Sequence, residues 1–305
     1  MTMTSTTERP TGSGDPGGFD IKSRRRLPLY IAIGVVVAVV LAFVGWRFWG
    51  GSDSKSPNET AGATLEIATA EGNAAEEALV DFIAEEVAPK YDLKIKFKGL
   101  ADSTTINRAV SDGEVAGTIY QHKLWLGQVL EANPDFKEEA ATPVFRWGFG
   151  IWSDKYTDPA QLPDGATVSL YSDPANEAQG LWLLERAGLI ELNPAADKWK
   201  ATQKDIVSNP KNLQFTLLDF AAQSRALPDI DAAVGYTEYY LAADIDIKKQ
   251  IFAPPAPDEF AGQLTIGTKW KDTENIKKLV QVFKDPAVQE YLATDPQVKN
   301  ILLPI

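Results

Sequence analysis

His122 is the only histidine among 305 residues, and it closes the run Tyr120, Gln121, His122 where apolar residues 115–120 pass into a helical pattern. In open α/β folds a ligand sits just past the carboxyl end of a strand, so polar side chains at such a junction are candidates for a binding pocket. The chemistry on offer is hydrogen bonding from Gln121 and His122, with Tyr120 as an apolar or stacking wall. The imidazole has two uses open to it: contact with a ligand, or service to the protein as a helix cap or a hydrogen-bonded core residue.

The elements that position these residues alternate along the chain. Residues 65–68 and 93–97 read as strands, and 74–91 carries Leu79, Phe82, Ile83 and Val87 at the spacing of an amphipathic helix. A helix over 103–111, a strand over 115–120 and a helix over 123–132 follow. Residues 144–152 form a long aromatic strand containing Trp147. A second alternation runs through strand 167–171, helix 175–187, strand 213–217, helix 219–226, strand 231–234 and helix 237–242. A proline-rich connection leads to strand 263–267, and residues 275–292 read as a helix pair broken at Pro286. Strand and helix in turn imply parallel sheets, and two such series imply two lobes.

Composition narrows the function. The chain is 44% hydrophobic, which is ample for a packed core, and acidic residues exceed basic ones by 42 to 30. That balance argues against nucleic acid as a partner. There is no cysteine, which removes disulfides, thiol catalysis and thiolate metal sites. No P-loop, GxGxxG, HExxH, GxSxG or EF-hand pattern occurs, and no nucleophile and base stand at telling spacing. Neither a cofactor nor a metal site is expected, and an enzyme is the least favoured class.

The amino-terminal part faces different surroundings. Residues 1–52 hold six basic and three acidic residues, leaving 24 basic against 39 acidic in the remainder. Residues 1–26 have the Thr, Ser, Gly and Pro content of a disordered tail and end in Arg24, Arg25 and Arg26. Residues 27–46 then run without a charge, and at about 1.5 Å per residue they span a hydrocarbon core of roughly 30 Å. Trp46 and Trp49 extend the run as interfacial aromatics, giving a transmembrane anchor over 27–49 with the tail cytoplasmic. A cleaved signal peptide is the rival, but its apolar region is shorter and ends in small residues. Residues 50–63 read as a flexible tether to an extracytoplasmic domain.

Asn107, Ala109, Asp112, Gly113 and Glu114 form one motif, and Tyr120, Gln121, His122, Lys123 and Leu126 a second. Through them, and over nearly all of residues 65–292, runs a resemblance to the methionine-binding (MetQ/NlpA-type) lipoprotein family of substrate-binding proteins. It continues in residues 162–168, in Asp173, Pro174 and Asn176, in Leu183, Leu184 and residues 187–190, and in residues 225–234. It implies an α/β, two-lobed fold of the periplasmic-binding-protein type II kind, here with an N-terminal transmembrane helix. Lobe 1 is expected over 64–146 and 265–305, and lobe 2 over 147–264 with the crossover strands. It further implies that His122 faces the cleft.

The departures from the family pattern fall where its ligand is held. Ser103 replaces an aromatic, Ser172 an asparagine, and Gln179 the arginine that takes a ligand carboxylate. Tyr236 and Glu238 stand for asparagines. The lipid-anchoring cysteine is absent, and the membrane helix takes its place. The candidate ligand residues are therefore Tyr120, Gln121, His122, Trp147, Ser172, Asn176, Gln179, Tyr236 and Glu238. The activity expected is binding of a small polar solute, other than methionine, and its delivery to the permease subunits of an ABC importer. A sensor or interaction module that regulates a neighbouring membrane protein is the alternative.

Overall fold

The computed structural model describes residues 56–305. The expected tail, the anchor over 27–49 and residues 50–55 of the tether lie outside the described residues. Two main sheets organise the rest. The first takes β1 (Thr64–Ala70), β2 (Lys94–Leu100), β3 (Gly117–His122) and β4 (Glu138–Trp147), then β12 (Ala261–Gly267) and β13 (Leu302–Leu303) from far along the chain. Their order is β13-β4-β12-β3-β1-β2. The second takes β5 (Phe149–Trp152), β6 (Thr167–Tyr171), β9 (Gln214–Leu218), β10 (Ala232–Tyr236) and β11 (Gln250–Phe252), in the order β11-β5-β10-β6-β9. A small ribbon pairs β7 (Glu191–Leu192) with β8 (Ile206–Ser208).

Each sheet has a parallel centre. β1 lies parallel to β2 and β3, and β6 lies parallel to β9 and β10. Strands of this kind are covered on both faces and need continuous apolar or small residues. All five residues of β10 and all seven of β12 are buried. The helices that cover the sheets are α1 (Ala74–Phe82), α2 (Ser103–Asp112), α3 (Lys123–Ala132), α4 (Pro174–Arg186), α5 (Phe220–Ala226), α6 (Thr237–Leu241), α7 (Glu274–Phe283) and α8 (Pro286–Thr294).

Four differences from the sequence reading have physical causes. The helix expected over 74–91 keeps α geometry only to Phe82, then widens over Ile83–Val87 and tightens over Ala88–Tyr91. Pro89 lacks the N–H that would continue the α-helical ladder. Strand β4 begins at Glu138 rather than at 144, since its first half pairs with β12 down to Gly267. Pro143 sits where that register slips, the place in a sheet where a missing N–H is tolerated.

The third difference is that β12 joins the first sheet from Ala261, four residues before the expected boundary at 265. The fourth concerns residues 56–60, assigned to a flexible tether. Asn58 is buried and reaches Val115 O at 3.4 Å, Ser56 Oγ donates to Gly113 O at 3.1 Å, and Asn275 Nδ2 donates to both Pro57 O and Thr60 O at 2.9 Å.

Candidate functional site

The parallel strands of both sheets aim their carboxyl ends at one cleft of about 210 Å³. Past β1 come Asn73 and Glu76, past β2 Ser103 and Ile106, and past β3 His122 and Trp125. From the second sheet come Asn176 after β6, Phe220 after β9, and Tyr236, Glu238 and Tyr239 at the end of β10. Trp147 enters from the crossover between β4 and β5. Five of the helix starts at the cleft are held by a side-chain cap, Asn73 for α1, Asp102 for α2, His122 for α3, Asp173 for α4 and Asp219 for α5, while α6 has none.

His122 caps α3 and also lines the cleft. Its Nδ1 accepts from the Trp125 backbone N–H at 3.1 Å, so the proton of the neutral ring lies on Nε2. Nε2 faces Asn176 Oδ1 of the opposite lobe at 3.3 Å. Burial lowers the imidazole pKa to about 4, moderated by the Asn176 contact, so the ring is neutral at pH 7.

Asn176 is the hub of the polar network. Its Nδ2 donates to Asp173 Oδ1 at 2.9 Å, which orients the amide and turns Oδ1 toward His122 and the Tyr236 hydroxyl. Gln179 Oε1 also lies 2.7 Å from the Tyr236 hydroxyl. A phenol has one proton to give, so two carbonyl oxygens cannot both be served. Turning the Gln179 amide over, so that its NH2 donates to the phenol oxygen, satisfies all three groups. The Tyr236 backbone N–H donates to Tyr171 Oη at 3.0 Å. Gly235 permits this approach, because a Cβ there would stand 3.0 Å from that oxygen.

Two carboxyl groups complete the lining. Glu76 is 1% exposed; Trp147 Nε1 donates to its Oε1 at 3.2 Å, while its Oε2 has no hydrogen-bond partner. Burial, then the charge of Glu238, raises the Glu76 pKa to about 8 against the pull of the Trp147 indole and the Thr69 hydroxyl. Half-buried Glu238 is pushed up to about 7 by desolvation, moderated by Asn73. Asn73 touches both residues, since its Oδ1 accepts from the Glu76 backbone N–H at 3.1 Å and its Nδ2 donates to Glu238 Oε2 at 3.2 Å. Among the described residues no lysine or arginine lines this cleft, and no three His, Asp or Glu side chains are grouped as metal ligands.

Aromatic rings close the remaining wall. Trp147 meets His122 and Tyr236 edge-on at 6.4 and 6.0 Å, and Trp125 meets Phe220 across the lobes at 6.2 Å. Trp125 Nε1 and Asn107 Nδ2 both donate to Tyr120 Oη. Gln121 Nε2 donates to Asn107 Oδ1 at 2.8 Å, with its own Oε1 unpartnered and buried.

Of the residues singled out from the sequence, Tyr120, Gln121, His122, Trp147, Asn176, Tyr236 and Glu238 line the cleft. Gln179 is buried behind Tyr236 and touches the cleft only through that phenol. Ser172 is exposed and does not line it; its backbone N–H extends the pairing of β6 with Leu218 O. The sequence reading missed Glu76, Asn73, Trp125, Phe220 and Tyr239. Asn73 followed three residues later by Glu76 has the pattern of a reciprocal helix cap, which would hide the carboxylate in the capping role. Instead that carboxylate turns to Trp147.

Known proteins share this fold. The family described as NlpA lipoprotein matches residues 65–303. The D-methionine-binding lipoprotein MetQ of Escherichia coli is 30% identical over 265 residues, which is 86% of this chain and 92% of that protein. A nutrient-binding protein from Burkholderia cenocepacia, solved bound to methionine, is 30% identical. It superposes with a TM-score of 0.67 over 78% of this chain and 98% of its own. An ABC transporter periplasmic substrate-binding protein from Coxiella burnetii is 29% identical with a TM-score of 0.68, over 78% and 99% of the two chains.

Proposed function

The chain belongs to the NlpA lipoprotein family, and from that membership we propose that it is the membrane-tethered, extracytoplasmic solute-binding protein of an ABC importer. Its activity is binding: two α/β lobes close over a small polar solute and present it to the permease subunits. The observation that carries this reading is the hydrogen bond from His122 to Asn176, which joins the lobes across a cleft lined by both. Closure of this kind stabilises a bound complex by adding contacts from the second lobe.

The ligand site is remodelled, and methionine is not its ligand. An amino acid brings a carboxylate into the closed cleft, where the family pattern supplies arginine. Here that position is Gln179, sealed behind Tyr236, and the acidic side chains of the lining are Glu76 and Glu238, with no cation among the described lining residues. A buried carboxylate left without its partner costs about 2–5 kcal/mol, or more than tenfold in affinity. Attachment to the membrane rests on the uncharged run 27–46 after Arg24, Arg25 and Arg26 in a chain without cysteine.

Purification of the full chain from its native membrane in detergent tests the role. Co-purification of an ABC permease and its ATPase supports delivery. A different stable membrane partner, with no importer subunit present, would instead place the protein among regulators.

A further inference from the structure

We propose that the cleft contains an ammonium subsite, in which Glu76 and Glu238 are counter-charges contributed by opposite lobes, and that the solute is an amine without a carboxylate. The inference deepens the solute-binding reading above and rests on it. Glu76 Oε2 is a buried acceptor with no hydrogen-bond partner in a carboxyl group that lines the cleft, so an N–H donor from a ligand has a place to bond. Glu238 reaches the same space from beyond β10. Asn73 joins the Glu76 backbone N–H to the Glu238 carboxyl through its two amide atoms. A cation between them would bridge the lobes as no neutral group could.

The surroundings offer no rival for that charge. Both nitrogens of His122 are occupied, Nδ1 by a backbone N–H and Nε2 by Asn176, and the ring is neutral. Helix amino ends ordinarily favour anions. Those of α1 to α5 are already capped, at α2, α4 and α5 by a carboxylate, and the uncapped α6 carries Glu238 in its own first turn. Trp125, Trp147, Tyr236 and Tyr239 line the cleft, and aromatic rings attract organic cations. Burial raises both carboxyl groups toward neutrality, and the charge of Glu238 adds to the effect at Glu76. Ammonium binding therefore ionises them and releases protons.

A second cavity, of about 460 Å³, adjoins the first and shares Asn73, Glu238, Tyr239 and Ala70 with it. The Asn73 to Glu238 hydrogen bond thus stands between the two spaces. An incoming amine would meet Glu238 first, displace Asn73 from it and pass on to Glu76.

A matched set of probes tests this on the full-length protein, stripped of ligand and held in detergent: 3-(methylthio)propylamine, L-methionine and 3-(methylthio)propanoate. They share a side chain and differ in which charged group remains. Calorimetry should show the amine binding at least tenfold more tightly than methionine, with no measurable binding of the propanoate. Glu238→Gln should weaken the amine at least tenfold. The heat should also change between phosphate and Tris buffers as proton release requires.

Tighter binding of methionine or the propanoate than of the amine would overturn the inference yet leave the importer role standing. So would a folded Glu238→Gln variant that binds the amine as well as the parent. If none of the three binds, and native mass spectrometry finds no small molecule on protein purified from cells, both the subsite and the solute-binding role fall.

Discussion

His122 Nε2 and Asn176 Oδ1 meet at 3.3 Å, one from the end of a strand in the first sheet and the other from a helix packed on the second. The imidazole cannot shift without releasing the cap on α3, and the amide cannot turn without losing Asp173. The contact is therefore fixed on both sides.

Asn176→Ala should leave the buried His122 N–H without an acceptor and Tyr236 with Gln179 alone. An unsatisfied buried donor costs about 1–3 kcal/mol. The urea midpoint should fall accordingly, with little change in the denaturant slope. A midpoint equal to that of the parent would show that water or another group replaces the amide at no cost.

Stability should fall as pH rises from 6.5 to 8. Glu76 and Glu138 are raised to about 8, and Glu238 to about 7, from the ordinary 4.5, chiefly by burial. In that window the folded chain holds more protons than the unfolded chain, so the slope of unfolding free energy with pH is negative. His122, lowered to about 4 from 6.5, contributes the opposite slope, but only below 6.5. Thermal melts across this range should show the decline, and Glu76→Gln should flatten it. A melting temperature that rises toward pH 8 contradicts the assignment.

Gln179→Arg alone should destabilise the protein and confer no methionine binding, because Tyr236 stands between that position and the cleft. Pairing it with Tyr236→Asn opens a path for the guanidinium, which can meet a carboxylate through two parallel charge-assisted bonds. The double variant should bind L-methionine at least tenfold better than the parent by calorimetry. No gain in a folded double variant would mean that Glu76 and Glu238 repel the ligand carboxylate whatever cation is present.

Protease added to spheroplasts should remove the domain after residue 63 while an epitope at the amino terminus stays intact, as the basic cluster before residue 27 requires. Protection of the domain would reverse the topology. A shortened soluble form in the medium would point to signal cleavage.

The sheet centres and the strand-end residues were readable because apolar runs and helical spacing alternate cleanly through β3, β6 and β10. Short edge pieces were not. The strands β7, β8, β11 and β13 run to three residues or fewer and depend on partners distant in sequence. At the site, Tyr120, Gln121 and His122 were visible as polar residues closing an apolar strand. Glu76 was hidden because its place in a helix amino turn explains a carboxylate without any cleft. Ser172 and Gln179 were drawn in by position in a pattern, while the side chain of Tyr236 decides which positions reach open space.

Strand β12 lies between β3 and β4 in the first sheet, yet it follows the whole second sheet in the chain. During synthesis β3 and β4 emerge with no neighbour to join them, and about 110 residues must follow before that neighbour exists. The second sheet has no such gap, since β5 to β11 arrive as one continuous stretch. The lobe begun first is therefore finished last. Until β12 arrives, its unpaired edges are what a translocating chain exposes to chaperones and proteases.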